Sequence, residues 1–201
     1  MAKRAFDVFL SAIGLLLSAP LWLAIAFAVK LEDGGPVFFA QERTGKFGRT
    51  FRALKFRSMH PDAEARSGAI QATAGDPRVT RVGRLLRATA MDELPQLWNI
   101  LRGDMSFVGP RALRPGEIEA EGGGRLVRLE EVPGFEHRIT VRPGLTGLAQ
   151  IYAPRDVPRR QKFRYDKVYV RTRSWTLDVR LILLSFWISF LGTWEARGRK
   201  Y

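Results

Sequence analysis

The chain contains no cysteine, which removes disulfides and thiolate metal sites from consideration and fits a reducing compartment. Histidine is nearly as scarce. His60 and His137 are the only two, too few and too isolated for a strong histidine metal site. There is no internal repeat, no low-complexity tract and no nucleotide P-loop. Acidic residues are outnumbered, 20 against 33 Lys+Arg, giving a formal net charge of +13. Of those 33 basic residues 26 are arginine, whose planar fork suits bidentate phosphate recognition better than the point charge of lysine. The balance therefore points to anionic partners: nucleic acid, an anionic membrane surface or a phosphorylated small molecule. A length of 201 residues with 46% apolar composition fits one domain with a sizeable core.

Charge is absent from one long stretch. Val8 to Val29, VFLSAIGLLLSAPLWLAIAFAV, holds no charged residue, and as a helix it measures roughly 33 Å, about one bilayer core. It exceeds the apolar run of a signal peptide, so membrane insertion of residues 1–33 is expected, with a separate domain over 34–201. Pro20 removes one backbone hydrogen bond and predicts a sharp kink, with Ser18 placed to bond the groups it frees. Lys30, Arg43, Lys46 and Arg49 resist export of the domain. Two arrangements satisfy these charges: a straight span whose short N-terminus crosses, and a bent, re-entrant helix with both ends on one side. A second apolar stretch, LILLSFWISFLGTW (181–194), is short for a span. It reads as a buried core helix or as an interfacial one with Trp187 and Trp194 at the headgroup level.

Between these ends the pattern is α+β, mainly helical with short strands. A hairpin is expected over Val37–Gln41 and Thr50–Phe56, turning at Gly45 and Gly48. Lys55 and Arg57 alternate with Phe56 and so share a strand face, either solvated or anion-binding. Residues 60–77 read as a polar, mobile connection, followed by a helix carrying Val79, Val82, Leu85 and Leu86. Arg78, Arg81, Arg84 and Arg87 recur every three residues on it; they drift round the helix and cannot all meet one ligand. PQLWNILRG reads as a further helix, with Pro95 in its first turn and Gly103 at its stop. Phe107–Val108 reads as a brief strand, with Gly109–Pro110 turning to present Arg111. Residues 116–136 read as a Glu-rich helix broken by Gly122, Gly123 and Gly124, a flexible lid or insertion. VRPGLTGLAQI (141–151) reads as a turn before an apolar strand, and FRYDKVYV (163–170) as a helix carrying Asp166.

The adjacent acids Asp92 and Glu93 close the arginine ladder, just before the PQLWNILRG helix. A plain account suffices for such a pair. Acids before a helix complement its free N–H groups and dipole, each by about 0.3–1 kcal/mol.

Several segments taken together change that account. KRAFD with the apolar segment after it, QERTGKFGRTFRALKFRSM, RVTRVGRLLRATAMDELPQLWNILRGDMSFVGPR, VRPGLTGLAQ and, more loosely, YDKVYVRTRSWTLDVRLIL occur in an order that resembles the bacterial sugar transferases, the monotopic polyprenyl-phosphate phosphoglycosyl transferases. The resemblance covers most of the chain, and the DELPQLWN…GDMS-VGPR block is highly specific. It implies transfer of a sugar 1-phosphate from a UDP-sugar to polyprenyl (undecaprenyl) phosphate, with UMP leaving, at the start of surface glycan synthesis. It implies Asp92 as nucleophile, Glu93 as the ligand of Mg²⁺ and Arg111 as a phosphate ligand. It also implies a re-entrant helix bent at proline and a catalytic domain on the cytoplasmic face of the inner membrane, among membrane lipids. The helix beginning at Pro95 is expected to add its N–H groups to the anion site. Arg87, Lys55, Arg57 and Asp166 are further substrate-binding candidates, each with a plain alternative as a salt-bridge partner or part of a solvated face. The family usually carries proline where this chain has Ala112, which is expected to loosen the turn bearing Arg111, and leucine where it has Met91. Two rival readings stay open at this level. A membrane-tethered basic module that binds nucleic acid explains the charge but not the DELPQLWN block, so no nucleic acid partner is expected. An inactive interface scaffold predicts that Asp92 is dispensable.

Overall fold

The computed structural model describes residues 2–63, 75–121, 125–154, 157–192 and 194. Most of the connection over 60–77 and the three glycines 122–124 lie outside the described residues.

The long first helix, α1 (Ala2–Asp33), runs through Pro20 without interruption. Ser18 Oγ donates to the carbonyl of Gly14 at 2.6 Å rather than serving the carbonyl one turn before the proline. This helix is long and apolar enough to cross a membrane. Leu16, Leu17, Leu23, Phe27 and Leu31 along it are exposed, yet both of its ends are bonded to the rest of the chain. At the N-terminal end, Asp7 is buried and accepts from Ser106 Oγ and the Phe107 N–H, each at 3.1 Å. Arg4 donates to the carbonyls of Ile100 and Leu101, the favourable place for a cation at a helix C-terminus. At the far end Asp33 pairs with Arg57, and Glu32 accepts from the N–H groups of Arg81 and Val82 at 2.6 and 3.2 Å.

A hairpin follows: β1 (Phe38–Thr44) and β2 (Thr50–Phe56), antiparallel, with Phe38 opposite Phe56 and Thr44 opposite Thr50. It turns where the glycines predict, with a first strand longer than the sequence suggests. The second helix, α2 (Arg81–Thr89), starts at Thr80, whose hydroxyl accepts from the Gly83 N–H at 2.9 Å. Leu86 is buried and Leu85 is exposed, so only part of the expected apolar set faces inward. The helix stops at Ala90, a non-glycine residue at φ 57. One 3-10 turn, Met91–Glu93, then leads through Pro95 into α3 (Gln96–Arg102), which ends at Gly103 with φ 97.

Beyond α3, β3 (Ser106–Val108) pairs in parallel with β6 (Gly144–Thr146). The glycines here are steric necessities. A Cβ on Gly144 would stand 2.0 Å from the Gly109 nitrogen, and one on Gly147 2.1 Å from the Gly109 carbonyl oxygen.

The segment expected to be a Glu-rich helix is instead a second hairpin, β4 (Ile118–Glu121) and β5 (Arg125–Arg128). The reason lies in the period. Leu126 and Arg128 are exposed while Val127 and Leu129 are buried, an alternation of two. Three successive glycines would also cost a helix about 1 kcal/mol each. A short helix, α4 (Phe135–Arg138), follows. The apolar strand expected across 141–151 is confined to β6, and LAQIY forms α5 (Leu148–Tyr152). The predicted helix around Asp166 is α6 (Arg159–Thr172), and α7 (Trp175–Phe190) follows. On α7 Asp178, Leu181 and Ile182 are buried, whereas Leu183, Phe186, Trp187 and Phe190 are exposed. Core and surface readings thus each apply to one stripe of this helix. Trp194 Nε1 donates to Ser189 Oγ at 2.7 Å.

Candidate active site

Asp92 and Glu93 sit on the turn between α2 and α3, which aims both side chains at β2 and at the segment after β3. Neither acid caps a helix. The N–H groups of Leu97 and Trp98 are already used by the carbonyls of Leu94 and Pro95, so those two donors of the expected anion site at the start of α3 are not free. The acids have other partners. Lys55 Nζ lies 2.5 Å from Glu93 Oε1 and 3.7 Å from Asp92 Oδ2. Arg111 Nη2 donates to the same Glu93 oxygen at 2.8 Å.

Three neighbouring pieces of backbone set this geometry. Lys55 is carried by β2, and β2 is docked on α3 by Asn99. The Asn99 side chain accepts from the Leu54 N–H at 3.0 Å and donates to the Arg52 carbonyl at 2.8 Å, replacing the strand that β2 lacks on that edge. Asn99 has a positioning role that sequence reasoning missed. The local sequence gave no signal for it: Leu97, Ile100 and Leu101 form the apolar stripe of the helix, and Asn99 lies off that stripe. Arg111 is held by its own backbone: it bridges Gly144, and the Gly144 N–H donates to the Pro110 carbonyl at 2.9 Å. Ala90, in the left-handed region immediately before the turn, is a strained position of the kind that persists where surrounding structure over-determines it.

Electrostatics separates the two acids. Burial pushes the Asp92 carboxyl up to about 6, with Lys55 pulling the other way and the neighbouring Glu93 adding to the rise. Burial also opposes ionisation of Glu93, but Arg111 and Lys55 outweigh it and hold that carboxyl well below the usual range. Glu93 in turn raises the Arg111 guanidinium. Two adjacent carboxylates whose environments drive their pKa values apart are suited to different tasks.

Asp92, Glu93, Lys55, Arg87 and Arg111 all line one cavity of about 1120 Å³. Arg87, in the last turn of α2, favours the ionised form of Asp92 from there. Arg57 and Asp166 also line the cavity wall but are bound elsewhere. The Arg57 guanidinium is bonded to Asp33 and to the Pro36 carbonyl, because the end of α1 reaches it first. Asp166 pairs with Arg138, Nε to Oδ2 at 3.0 Å, both buried. Burial pushes the Asp166 carboxyl up and the Arg138 guanidinium down. The cavity continues into an apolar region walled by Leu17 and Leu21 of α1 and by Phe186 and Phe190 of α7.

A family model described as bacterial sugar transferase matches residues 1–192. Among curated relatives, the chain is 45% identical over 185 residues to an exopolysaccharide production protein PSS of Rhizobium leguminosarum bv. phaseoli, covering 90% of each chain. It is 43% identical to a UDP-glucose:undecaprenyl-phosphate glucose-1-phosphate transferase of Caulobacter vibrioides, over 91% of this chain and 67% of that one. It is 42% identical to a UDP-N-acetylgalactosamine-undecaprenyl-phosphate N-acetylgalactosaminephosphotransferase of Aeromonas hydrophila, over 90% of this chain and 41% of that one. A match across nearly the whole chain means that the chain belongs to the bacterial sugar transferase family and is a phosphoglycosyl transferase.

Proposed function

We propose that the protein transfers a sugar 1-phosphate from a UDP-sugar to polyprenyl (undecaprenyl) phosphate, releasing UMP, through a covalent phosphosugar on Asp92. The observation that carries this reading is the turn Met91–Glu93. It presents a buried carboxyl with a raised pKa beside one whose pKa is lowered, with Lys55 within 4 Å of both and Arg111 bonded to the second, in a single large cavity. The names of the relatives supply the substrate classes, with glucose and N-acetylgalactosamine as the first sugars to try.

In the first step an Asp92 oxygen attacks the phosphorus bearing the sugar. The bond from that phosphorus to the bridging oxygen breaks, and UMP leaves with the electron pair. In the second step a phosphate oxygen of the lipid attacks the same phosphorus and the Asp92 carboxylate departs, giving a polyprenyl diphosphate sugar. Splitting the transfer in two is the advantage of a covalent intermediate. Charge is the obstacle, because like charges at 4 Å repel by about 4 kcal/mol at an effective dielectric of 20. Lys55, Arg87 and Arg111 answer it from the cavity wall by drawing phosphate oxygens towards Asp92.

Glu93 suits Mg²⁺. Lys55 and Arg111 both bond Oε1, and Oε2 takes no hydrogen bond among the described residues. No group of three or more His, Cys, Asp or Glu residues is placed to hold a metal among the described residues. This matches an ion held by one carboxylate or two and completed by substrate phosphate oxygens. When bound, the ion neutralises charge on the diphosphate.

The ties at both ends of α1 support a re-entrant helix. A straight span would separate its ends by a bilayer, while one domain holds Asp7 at one end and Glu32 and Asp33 at the other. In this reading the protein sits on the cytoplasmic face of the inner membrane, with the exposed middle of α1 among lipids. The cysteine-free sequence makes this testable. Ala2→Cys and Pro36→Cys should label from the same face, and labelling from opposite faces would reject the re-entrant form.

The covalent step has a direct test. With UDP-glucose or UDP-N-acetylgalactosamine and Mg²⁺, and without lipid, the protein should gain the mass of one sugar phosphate on Asp92. Absence of an adduct with every UDP-sugar tried, together with activity surviving Asp92→Asn, would sink the mechanism.

A further inference from the structure

Arg111 reaches Glu93 from an exposed position, with its side chain 45% accessible. An exposed arginine keeps its place only if its backbone is held. The Arg111 carbonyl accepts a hydrogen bond from Arg138 Nη2. Arg138 is the least mobile kind of donor: its side chain is 5% accessible, its Nε is bonded to Asp166 at 3.0 Å, and its guanidinium lies 4.7 Å over the Phe163 ring. Asp166 and Phe163 are one turn apart on α6, so a single helix grips the guanidinium by an edge and by a face.

This arrangement is a poor choice for stability alone. The pair lies beside a core of Leu113, Leu129, Phe135 and Phe163, and a buried ion pair of that kind contributes little against apolar residues of similar volume. It does supply direction. The rigid fork holds a carboxylate on one edge and a main-chain carbonyl on the other at a fixed angle, which a lysine cannot do.

We infer that Arg138, anchored by Asp166, is a positioning residue that fixes the Arg111 carbonyl and so sets where the Arg111 guanidinium stands relative to Asp92 and Glu93. The inference rests on Arg111 acting as a ligand of the donor phosphates. It assigns Asp166 and Arg138 a role through Arg111 and not by contact with substrate.

The test is a double-mutant cycle read as KM for the UDP-sugar and kcat, each per folded protein. Arg138→Lys keeps the charge and loses the fork. It should raise donor KM by about five- to tenfold, the equivalent of one lost hydrogen bond, and leave KM for the lipid phosphate unchanged. In an Arg111→Ala background the same substitution should change donor KM less than about twofold, because the residue through which it acts is gone. Asp166→Asn, which keeps the bond to Arg111 but loosens its anchor, should give a smaller shift of the same kind and serves if Arg138→Lys does not fold. Equal losses in both backgrounds, or a fall in kcat with donor KM unchanged, would overturn the positioning role while leaving the phosphate role of Arg111 intact. An Arg111→Ala protein with normal donor KM would instead remove the phosphate role itself, and the inference with it.

Discussion

Two acid–base clusters on the wall of the same cavity are built on opposite plans. At Arg138–Asp166 one cation meets one anion, both buried, and the guanidinium bonds a carboxylate and a carbonyl. At the Met91–Glu93 turn two carboxyls are adjacent, and both nearby cations bond the second of them. Asp92 is left buried with no side-chain hydrogen bond among the described residues, with Lys55 Nζ 3.7 Å away and a carboxyl pushed up to about 6. The first cluster is closed and makes scaffold. The second is unbalanced: it leaves one carboxyl without the bonded cations its neighbour has, the arrangement that the proposed attack on phosphorus needs. Sites that shift pKa values by burial and like charge are where function concentrates.

Asp92→Asn breaks this difference most completely. Loss of the proposed nucleophile should lower UMP release by at least about 10³-fold. The same change should stabilise the fold at neutral pH. A carboxyl whose folded pKa is about 6 and whose ordinary value is 3.8 favours the folded state below about pH 4, and loses that contribution as pH rises to about 6. Removing the charge should therefore recover about 2–3 kcal/mol above pH 7 and little at pH 4. Thermal melts at the two pH values check the sign. Exchanging the two acids preserves net charge, yet it should abolish activity as well, since the turn gives the two positions different partners.

Glu93→Gln comes next. Activity should fall by about 100-fold or more as the proposed ligand of the ion and the partner of Lys55 and Arg111 is lost. The informative readout is the residual pH profile. In the unaltered protein activity should fall as pH drops through about 6, where Asp92 protonates. Without the Glu93 charge, and with Lys55 and Arg111 released towards Asp92, the acid limb should move to lower pH. A limb that stays in place would mean that another group sets it.

The comparison also shows what was readable beforehand. The acid pair, the strand bearing Lys55 and the turn bearing Arg111 were all legible, because each lies in a short segment with strong punctuation: Gly45 and Gly48, Pro95 and Gly103, Gly109 and Pro110. Which cation each acid would meet was not. Lys55 and Arg57 alternate identically in sequence, and only the end of α1 decides that Arg57 goes to Asp33. Arg138 gave no local sign at all, since its partners lie 27 and 28 residues away. The hairpin over residues 118–128 was missed because its glutamates suggested a helix and the alternation of Val127 and Leu129 was too short to stand out.

Asp33→Asn sharpens the contrast from the scaffold side. Asp33 and Arg57 are the tie between α1 and the strand pair, with the Arg57 side chain 6% accessible. Leaving that guanidinium without its carboxylate should cost about 1–3 kcal/mol, measured by chemical denaturation. The folded fraction should keep its donor KM within about twofold. A large rise in donor KM would instead make Arg57 a substrate ligand.

The smallest effect is expected at Ala112, where the family usually has proline. The departure suggested a loosened turn, but the structure supplies other restraints: the Arg111 carbonyl accepts from Arg138, the Ala112 carbonyl accepts from Arg43 at 3.1 Å, and the Leu113 carbonyl accepts from the Thr44 N–H at 2.8 Å. Three consecutive carbonyls are thus held from outside the turn. Arg111 is extended, in a parallel bridge with Gly144, the conformation that a following proline requires. The parallel bridge turns the Ala112 N–H towards the Gly144 carbonyl, so proline removes a donor there. Ala112→Pro should therefore change stability by less than about 1 kcal/mol, the restriction of the unfolded chain offsetting that loss, and leave donor KM unchanged. A fall in donor KM would show that the Arg138 and Arg43 restraints leave Arg111 loose, and that proline supplies order which this chain lacks.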